Sequence, residues 1–237
     1  PGPGITNMAT ALLEAHSASL PVIALSNGTP ISSDGKGAFQ ELDSVSFMRP
    51  VTKWATRIVS PETTPWVMQR AFSIAKNGRP GPVFIDVPSD IALQSCSMPP
   101  YKRSLDRHTF RPDSDAIAAA AALIKKAKQP IIICGSGAVS ARAGTNITRL
   151  AESIGAALYT TPGGRGTYAE DHPLCLGQIG LYFTDAGKKY FDESDLVISF
   201  GSRLEDFSTG GWTLWPSRAK FIQIDIDPES IGLNIRP

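Results

Sequence analysis

Arg203, Glu205 and Asp225 stand just past two apolar runs, residues 196–200 and 221–224. Such a set offers a guanidinium for phosphate oxygens and carboxylates for ribose hydroxyls, the pairing a nucleotide requires. A surface ion pair between solvated loops explains the same residues equally well. A second group lies where the apolar run 131–134 gives way to Gly135-Ser136-Gly137. Strand, GxG turn and helix is a context for close approach of backbone to a phosphate, but Ser140 occupies the third glycine position of the dinucleotide fingerprint, and a plain tight turn competes. Nearer the start, Thr6 or Asn7 can cap a helix with Gly4 just ahead, so Asn7 reads either as that cap or as a ligand contact. The polar stretch 27–38, leading into Phe39-Gln40-Glu41, sits where a parallel strand ends; ligand loops occur there, and so do solvated connectors.

These groups need a frame, and the apolar patterning predicts one. The first helix runs to about His16, which closes it as a cap rather than a catalyst. A buried strand follows over residues 21–26, then a strand over 51–59 with Lys53, Ala55 and Arg57 on one side. Ser60 opens a helix with Pro61 first and Glu62 in its first turn; Val67, Ala71, Ile74 and Ala75 form its apolar stripe, and Gly78 ends it. Residues 83–87 are the last strand of this unit, fenced by Gly78-Arg79-Pro80-Gly81-Pro82 and Pro88, with Arg79 a charge held at its edge. Aperiodic residues from 91 to 111 read as a linker. A second unit begins with a helix capped by Asp113 or Ser114, apolar at Ile117, Ala121 and Ile124 and stopped by Pro130. Strand 131–134, a helix from about Arg142 to Ile154, and strands 157–160, 196–200 and 221–224 complete it, each later strand ending in a polar or glycine-rich loop. The fold class is α/β, with two open, mostly parallel sheets flanked by helices.

The bulk properties narrow the function. With 237 residues, a net charge of +1 and no basic block, the chain lacks a nucleic-acid footprint or a membrane-surface helix, and no apolar run reaches bilayer-spanning length. Cys96, Cys134 and Cys175, odd in number and without CxxC spacing, read as reduced, buried thiols of a cytoplasmic protein. The chain opens on Pro1 and stops at Arg236-Pro237, directly after a strand and the start of a helix, so it is expected to be a piece of something longer.

Taken in order, Gly2-Pro3-Gly4-Ile5-Thr6-Asn7, Ala38-Phe39-Gln40-Glu41, Gly78-Arg79-Pro80-Gly81-Pro82-Val83, Asp86-Val87-Pro88 and Ile224-Asp225-Ile226-Asp227-Pro228 resemble the motifs of thiamine diphosphate-dependent enzymes of the acetolactate synthase type. The resemblance covers essentially the whole chain. It implies that residues 1–94 are the second half of a pyrimidine-binding domain, 95–111 a linker, and 112–237 most of a Rossmann-like central domain. It also implies that the family's catalytic Glu lies upstream, that its Gly-Asp-Gly motif for Mg2+ and diphosphate lies downstream, and that this piece alone is inactive.

Carried over by position, Pro3 and Asn7 match residues near the pyrimidine ring, and Gln40, with Phe39 beside it, matches the glutamine facing substrate. In members that carry flavin adenine dinucleotide (FAD), Arg79 matches an arginine contacting it. Gly135, Ser136, Gly137, Thr161, Pro162, Gly163, Gly180, Gly201, Arg203, Glu205, Asp225 and Ile226 resemble the rest of that site. The resemblance implies loss of carbon dioxide from a 2-oxo acid and addition of the remaining unit to a second carbonyl, in a homodimer or tetramer. Two positions depart from the acetolactate synthase pattern: Ser89 stands where those enzymes read Lys, and Phe207 where they carry Arg. Two readings therefore stay open beside it, an enzyme of the oxalyl-CoA decarboxylase and 2-hydroxyacyl-CoA lyase group, acting on an acyl-CoA and holding ADP in the central domain, and a non-catalytic nucleotide-binding module.

Overall fold

The computed structural model describes residues 1–97, 101 and 108–237, and the chain divides into two compact units, Pro1–Thr109 and Phe110–Pro237. Residues 98–100 and 102–107 of the expected linker lie outside the described residues.

The first unit runs α1 (Gly2–Ser17), β1 (Ile23–Gly28), α2 (Ser44–Met48), β2 (Trp54–Arg57), α3 (Thr64–Lys76), β3 (Val83–Pro88) and α4 (Ser89–Ala92). Its strands pair in parallel in the order β1-β3-β2. Because side chains alternate across a strand, central β3 feeds two cores: Val83 and Ile85 join Ile58, Val67, Ala71 and Ala75, while Phe84 meets Ile5, Leu12, Ala24 and Met48. The 21–26 run is not a buried strand, since β1 is an edge of this sheet and Leu25 is 54% exposed. Nor does α1 wait for a cap at Thr6 or Asn7. Pro3 fits the first turn, where its missing N–H has no partner to lose, and the Thr6 hydroxyl turns back to donate to the Pro3 carbonyl at 3.0 Å. Helix α3 starts later than Ser60 for a similar reason: a 3-10 turn, Pro61–Thr63, intervenes and Pro65 occupies the first α-helical turn.

The second unit runs α5 (Ser114–Lys126), β4 (Pro130–Cys134), α6 (Ser136–Ser140), α7 (Gly144–Ile154), β5 (Ala157–Thr160), β6 (Cys175–Gln178), α8 (Asp185–Asp192), β7 (Leu196–Phe200), α9 (Asp206–Thr209) and β8 (Lys220–Ile224). All strands are parallel, in the order β6-β5-β4-β7-β8. Ile131 and Ile133 pack with Tyr159, Phe191 and Val197 on one face, and Ile132 and Cys134 with Ile147, Ala151, Leu158 and Ile198 on the other. A strand covered on both faces has no polar side, which is why 131–134 reads as an unbroken apolar run. Asp113 is the cap of α5, its carboxylate accepting from the Asp115 and Ala116 N–H groups. The side of α5 that packs on the core is the half-buried Leu123 and Ile124 at its end, whereas Ile117 and Ala121 are exposed. Pro130 does not stop that helix, which has ended at Lys126; it opens β4, a strand position where a missing N–H is tolerated. The single helix expected from Arg142 begins instead at Gly144, with α6 ahead of it.

The architecture is the expected one, two parallel sheets flanked by helices. Among the described residues no helix is long and apolar enough to cross a membrane. The three cysteines are free thiols; Cys134 is buried, but Cys96 and Cys175 are half-buried, short of the burial expected.

Candidate functional site

In the first unit the loop after β1 is a built structure. Arg57, at the end of β2, donates to the Thr29 carbonyl at 2.7 Å and pairs with Asp34 at 2.7 Å. Asp90 on α4 accepts from the Ile31 N–H at 3.1 Å and the Ser32 N–H at 3.4 Å. Glu41 accepts from the N–H groups of Gly35 at 2.6 Å, Gly37 at 3.0 Å and Ala38 at 3.0 Å. Gly35 and Gly37 have φ of 72° and 71°, which turns successive amides inward around the carboxylate. Those amides, Gly35 first, hold the Glu41 carboxyl below its ordinary range. Asp43 then caps α2 through the Ser46 N–H at 3.1 Å, and hydrogen bonds from Ser46, helped by the charges of Arg49 and Arg57, lower its carboxyl too.

At the tip of this loop Phe39 is 84% exposed, and Gln40 stands at φ 58°. That left-handed conformation costs a non-glycine residue about 1–2 kcal/mol. The Gln40 carbonyl accepts from the Gly2 N–H at 3.1 Å, and a Cβ on Gly2 would lie 2.8 Å from the same oxygen. Gln40 is thus seated against the first turn of α1, where Pro3 and Asn7, four residues apart on one helix face, are both exposed. The fold brings the Gln40 backbone against Gly2, next to Pro3 at the start of α1.

Arg79 belongs elsewhere in the unit. Its Nε donates to Ser19 Oγ at 2.9 Å and an Nη to the His16 carbonyl at 3.0 Å, so its guanidinium closes the C-terminus of α1. That is the far end of the helix from Pro3, about 20 Å away by the helical rise. Lys53 Nζ in turn donates to the carbonyls of Ile74, Asn77 and Arg79 at 2.6, 2.8 and 2.7 Å, fixing the turn that carries Arg79.

In the second unit the sheet changes direction at β4, with β5 on one side and β7 on the other, and open α/β sheets bind ligands in the crevice at such a point. There the Gly137 N–H donates to the Gly201 carbonyl at 3.0 Å, and a Cβ on Gly135 would sit 2.2 Å from that same oxygen. Gly201 has φ 60°. The glycines therefore let two strand-end loops pack backbone to backbone, the tight-turn alternative made concrete. Thr161 donates its N–H to the Cys134 carbonyl at 2.9 Å, and Pro162 and Gly163 form the 3-10 turn that faces Ser136. Gly180 packs on the backbone of α9 beside Phe207.

Arg203 and Glu205 form an ion pair, and the Asn234 side-chain amide donates to the Arg203 carbonyl at 2.8 Å. Asp225 accepts from the Asp227 N–H at 3.0 Å in the turn beyond β8, and Ile226 is 42% exposed. All of these residues lie at the C-terminal ends of the strands or in the loops that follow.

Two features had no counterpart in the sequence reading. Glu41 organises the loop carrying Gln40; its signal was two glycines spaced two apart followed by an acid four residues later. A cleft of about 440 Å³ opens beside β5 and β6, lined in part by Thr160, Arg165, Tyr168, Cys175 and Gln178. Arg165 crosses to Glu170 through two bonds of 2.8 and 2.9 Å, and the buried Tyr168 hydroxyl has no well-formed hydrogen bond; burial pushes that phenol up. Among the described residues no three His, Cys, Asp or Glu side chains converge as metal ligands.

The comparisons with known proteins bear on both units. Residues 117–237 match the central domain of thiamine pyrophosphate enzymes, and residues 1–47 match the N-terminal thiamine pyrophosphate-binding domain of the same enzymes. The first match alone spans just over half of the chain, and the chain belongs to the thiamine pyrophosphate enzyme family. It is similar to a probable acetolactate synthase large subunit of Methanocaldococcus jannaschii, 38% identical over 99% of this chain and 41% of the relative. It is also similar to acetolactate synthase 2, chloroplastic, of Zea mays, 34% identical over 100% of this chain and 38% of the relative, and to an acetolactate synthase of Mycobacterium bovis, 35% identical over 98% and 38%. The chain thus spans about two fifths of the length of these curated relatives.

Proposed function

We propose that this chain is part of a thiamine diphosphate enzyme of the acetolactate synthase type, which decarboxylates a 2-oxo acid and joins the remaining unit to a second carbonyl compound. The observation that carries the reading is the seating of Gln40 against Gly2 on the first turn of α1, the helix that carries Pro3 and Asn7, in a chain of this family. The donor set fits the group: Pro3 offers an apolar surface, and Asn7 and Gln40 offer amides that both donate and accept, suited to a heteroaromatic ring and a substrate oxygen. Thiamine diphosphate, when bound, supplies the electron sink that lets carbon dioxide leave. Gln40 then hydrogen-bonds substrate, with Phe39 beside it. Mg2+ and the diphosphate are held outside residues 1–237.

For the second unit the reading is a dinucleotide, FAD, across the β4 and β7 strand ends. Arg203 answers phosphate and Asp225 ribose, a donor set of the right chemistry at the right edge. Assembly as a homodimer or tetramer and a cytoplasmic location complete the proposal. The acyl-CoA alternative and the bare nucleotide-binding module are less favoured, because the relatives quoted above carry the acetolactate synthase name over nearly all of this chain.

The test is carbon dioxide release from pyruvate by the full-length protein, with and without thiamine diphosphate and Mg2+. Release that depends on both, with a new carbon–carbon bond in the product, is the expected result. Decarboxylation of oxalyl-CoA with none from 2-oxo acids would transfer the assignment to the acyl-CoA group.

A further inference from the structure

We propose that Glu41 is a positioning residue for Gln40: its carboxylate, bonded to the N–H groups of Gly35, Gly37 and Ala38, locks the loop in the shape that seats the Gln40 backbone on the first turn of α1 and so fixes the base from which its side chain projects. What Gln40 does for substrate rests on the thiamine diphosphate reading above; the lock itself does not.

Three observations carry it. Gln40 occupies a left-handed backbone that its side chain disfavours, and such a conformation persists where the surroundings impose it. Restraint comes from both flanks: the Gly2 N–H holds the Gln40 carbonyl at 3.1 Å, and the next residue folds back on residues 35–38, its own N–H donating to the Ala38 carbonyl at 2.9 Å while its carboxylate gathers the three amides. Finally, the nearby charges are spoken for. Asp34 is taken by Arg57, Lys36 Nζ donates to the Ser32 carbonyl at 2.8 Å, and among the described residues Glu41 forms no ion pair. An exposed carboxylate that bonds to backbone instead of a cation acts on loop shape.

Charge and reach are both needed. In Glu41→Gln one oxygen survives, but the amide NH2 faces backbone donors and cannot accept from them. The expected result in the full-length enzyme is a fall in kcat of about tenfold to a hundredfold, the scale of a misplaced group near a reacting centre, with KM for the 2-oxo acid little changed. Glu41→Asp, which keeps the charge, recovers part of that loss.

A double-mutant cycle separates positioning from general support. If Glu41 acts through Gln40, Glu41→Gln has no further effect on kcat in a Gln40→Ala background. Hydrogen exchange of the Gly35, Gly37 and Ala38 amides reads the lock without activity, and all three exchange faster in Glu41→Gln. Additive losses in the cycle, or parent-like kcat in Glu41→Gln, overturn the proposal. Should Gln40→Ala leave activity intact, the reading of Gln40 fails, and exchange alone decides the lock: unchanged rates at the three amides overturn it.

Discussion

Asp86 is the residue whose removal should reach furthest in the first unit. It sits on central β3, buried, with Oδ1 accepting from Ser26 Oγ on β1 at 3.0 Å and Oδ2 lying 3.2 Å from Arg57 Nε on β2, off the line of a good hydrogen bond. One carboxylate thus spans all three strands. Gly28 leaves it room, since a Cβ there would lie 2.4 Å from Oδ1. In Asp86→Ala the Arg57 charge loses its buried counter-ion, a change that costs about 3–5 kcal/mol when both groups are fully enclosed. The Arg57 side chain is 22% exposed and keeps Thr29 and Asp34, so the lower end, about 3 kcal/mol, applies here. For a unit of about 100 residues, as Pro1–Thr109 is, that corresponds to a fall in melting temperature of about 12–24 °C. Urea unfolding should show a lower midpoint with unchanged slope. Adding Arg57→Met should recover part of the loss, because the charge left unpaired is then gone. A loss under about 1 kcal/mol in Asp86→Ala, the worth of a solvent-exposed pair, would refute the claim that this carboxylate is a buried tie.

Two further outcomes follow from the second unit. Gly201→Ala places a Cβ 2.6 Å from Gly137 Cα in a left-handed backbone, so the β4 and β7 loops must part. Titration calorimetry with FAD and with ADP should then show affinity reduced by about tenfold or more, the size of a ~1.4 kcal/mol change; undiminished affinity would remove this crevice as the nucleotide site. Burial pushes the Cys134 thiol up to about 12, above its unfolded value of 9.0, so the folded state holds the proton more tightly. That contribution is fully present below pH 9 and is lost as pH rises toward 12, at about 1.4 kcal/mol per unit. Thiol titration at pH 8 should label Cys96 and Cys175 in the native protein and Cys134 only after unfolding; native labelling of Cys134 would contradict its burial.

What the sequence made legible depended on how far each feature's cause lies along the chain. Strands 131–134, 157–160 and 196–200 were readable because burial on both faces writes itself into consecutive residues. Strand β6 was not, because Cys175–Gln178 is a half-buried edge with a glycine inside and shows neither an apolar run nor alternation. The candidate residues at strand ends were legible as loops, since glycine and polar residues mark where a strand stops. Their bonding was not. Arg79 reads as a charge at a strand edge, yet what it touches is Ser19 and the His16 carbonyl, some 60 positions earlier, and no local pattern encodes that. The same holds for Gln40, whose left-handed backbone is imposed by Gly2 from the start of the chain, against its own preference.

The two strand-end regions are held in shape by different physics, and that decides what each tolerates. In the first unit Arg57, Asp90, Glu41 and Asp43 grip loop and cap backbone through charged side chains, so a substitution that keeps size and removes charge is the damaging one. In the second, Gly135, Gly137, Gly164 and Gly201 bring backbones so close that an added methyl meets a carbonyl or Cα within 2.8 Å, and charge is irrelevant. Backbone seated on backbone is rigid and offers no side chain of its own to read a ligand. If the nucleotide proposed above binds there, discrimination passes to side chains, of which the proposal names Arg203 and Asp225. In the first unit the burden is reversed: Phe39 and Gln40 sit on a loop whose shape is set by charge, so the chemistry proposed for them rests on the electrostatic grip behind it.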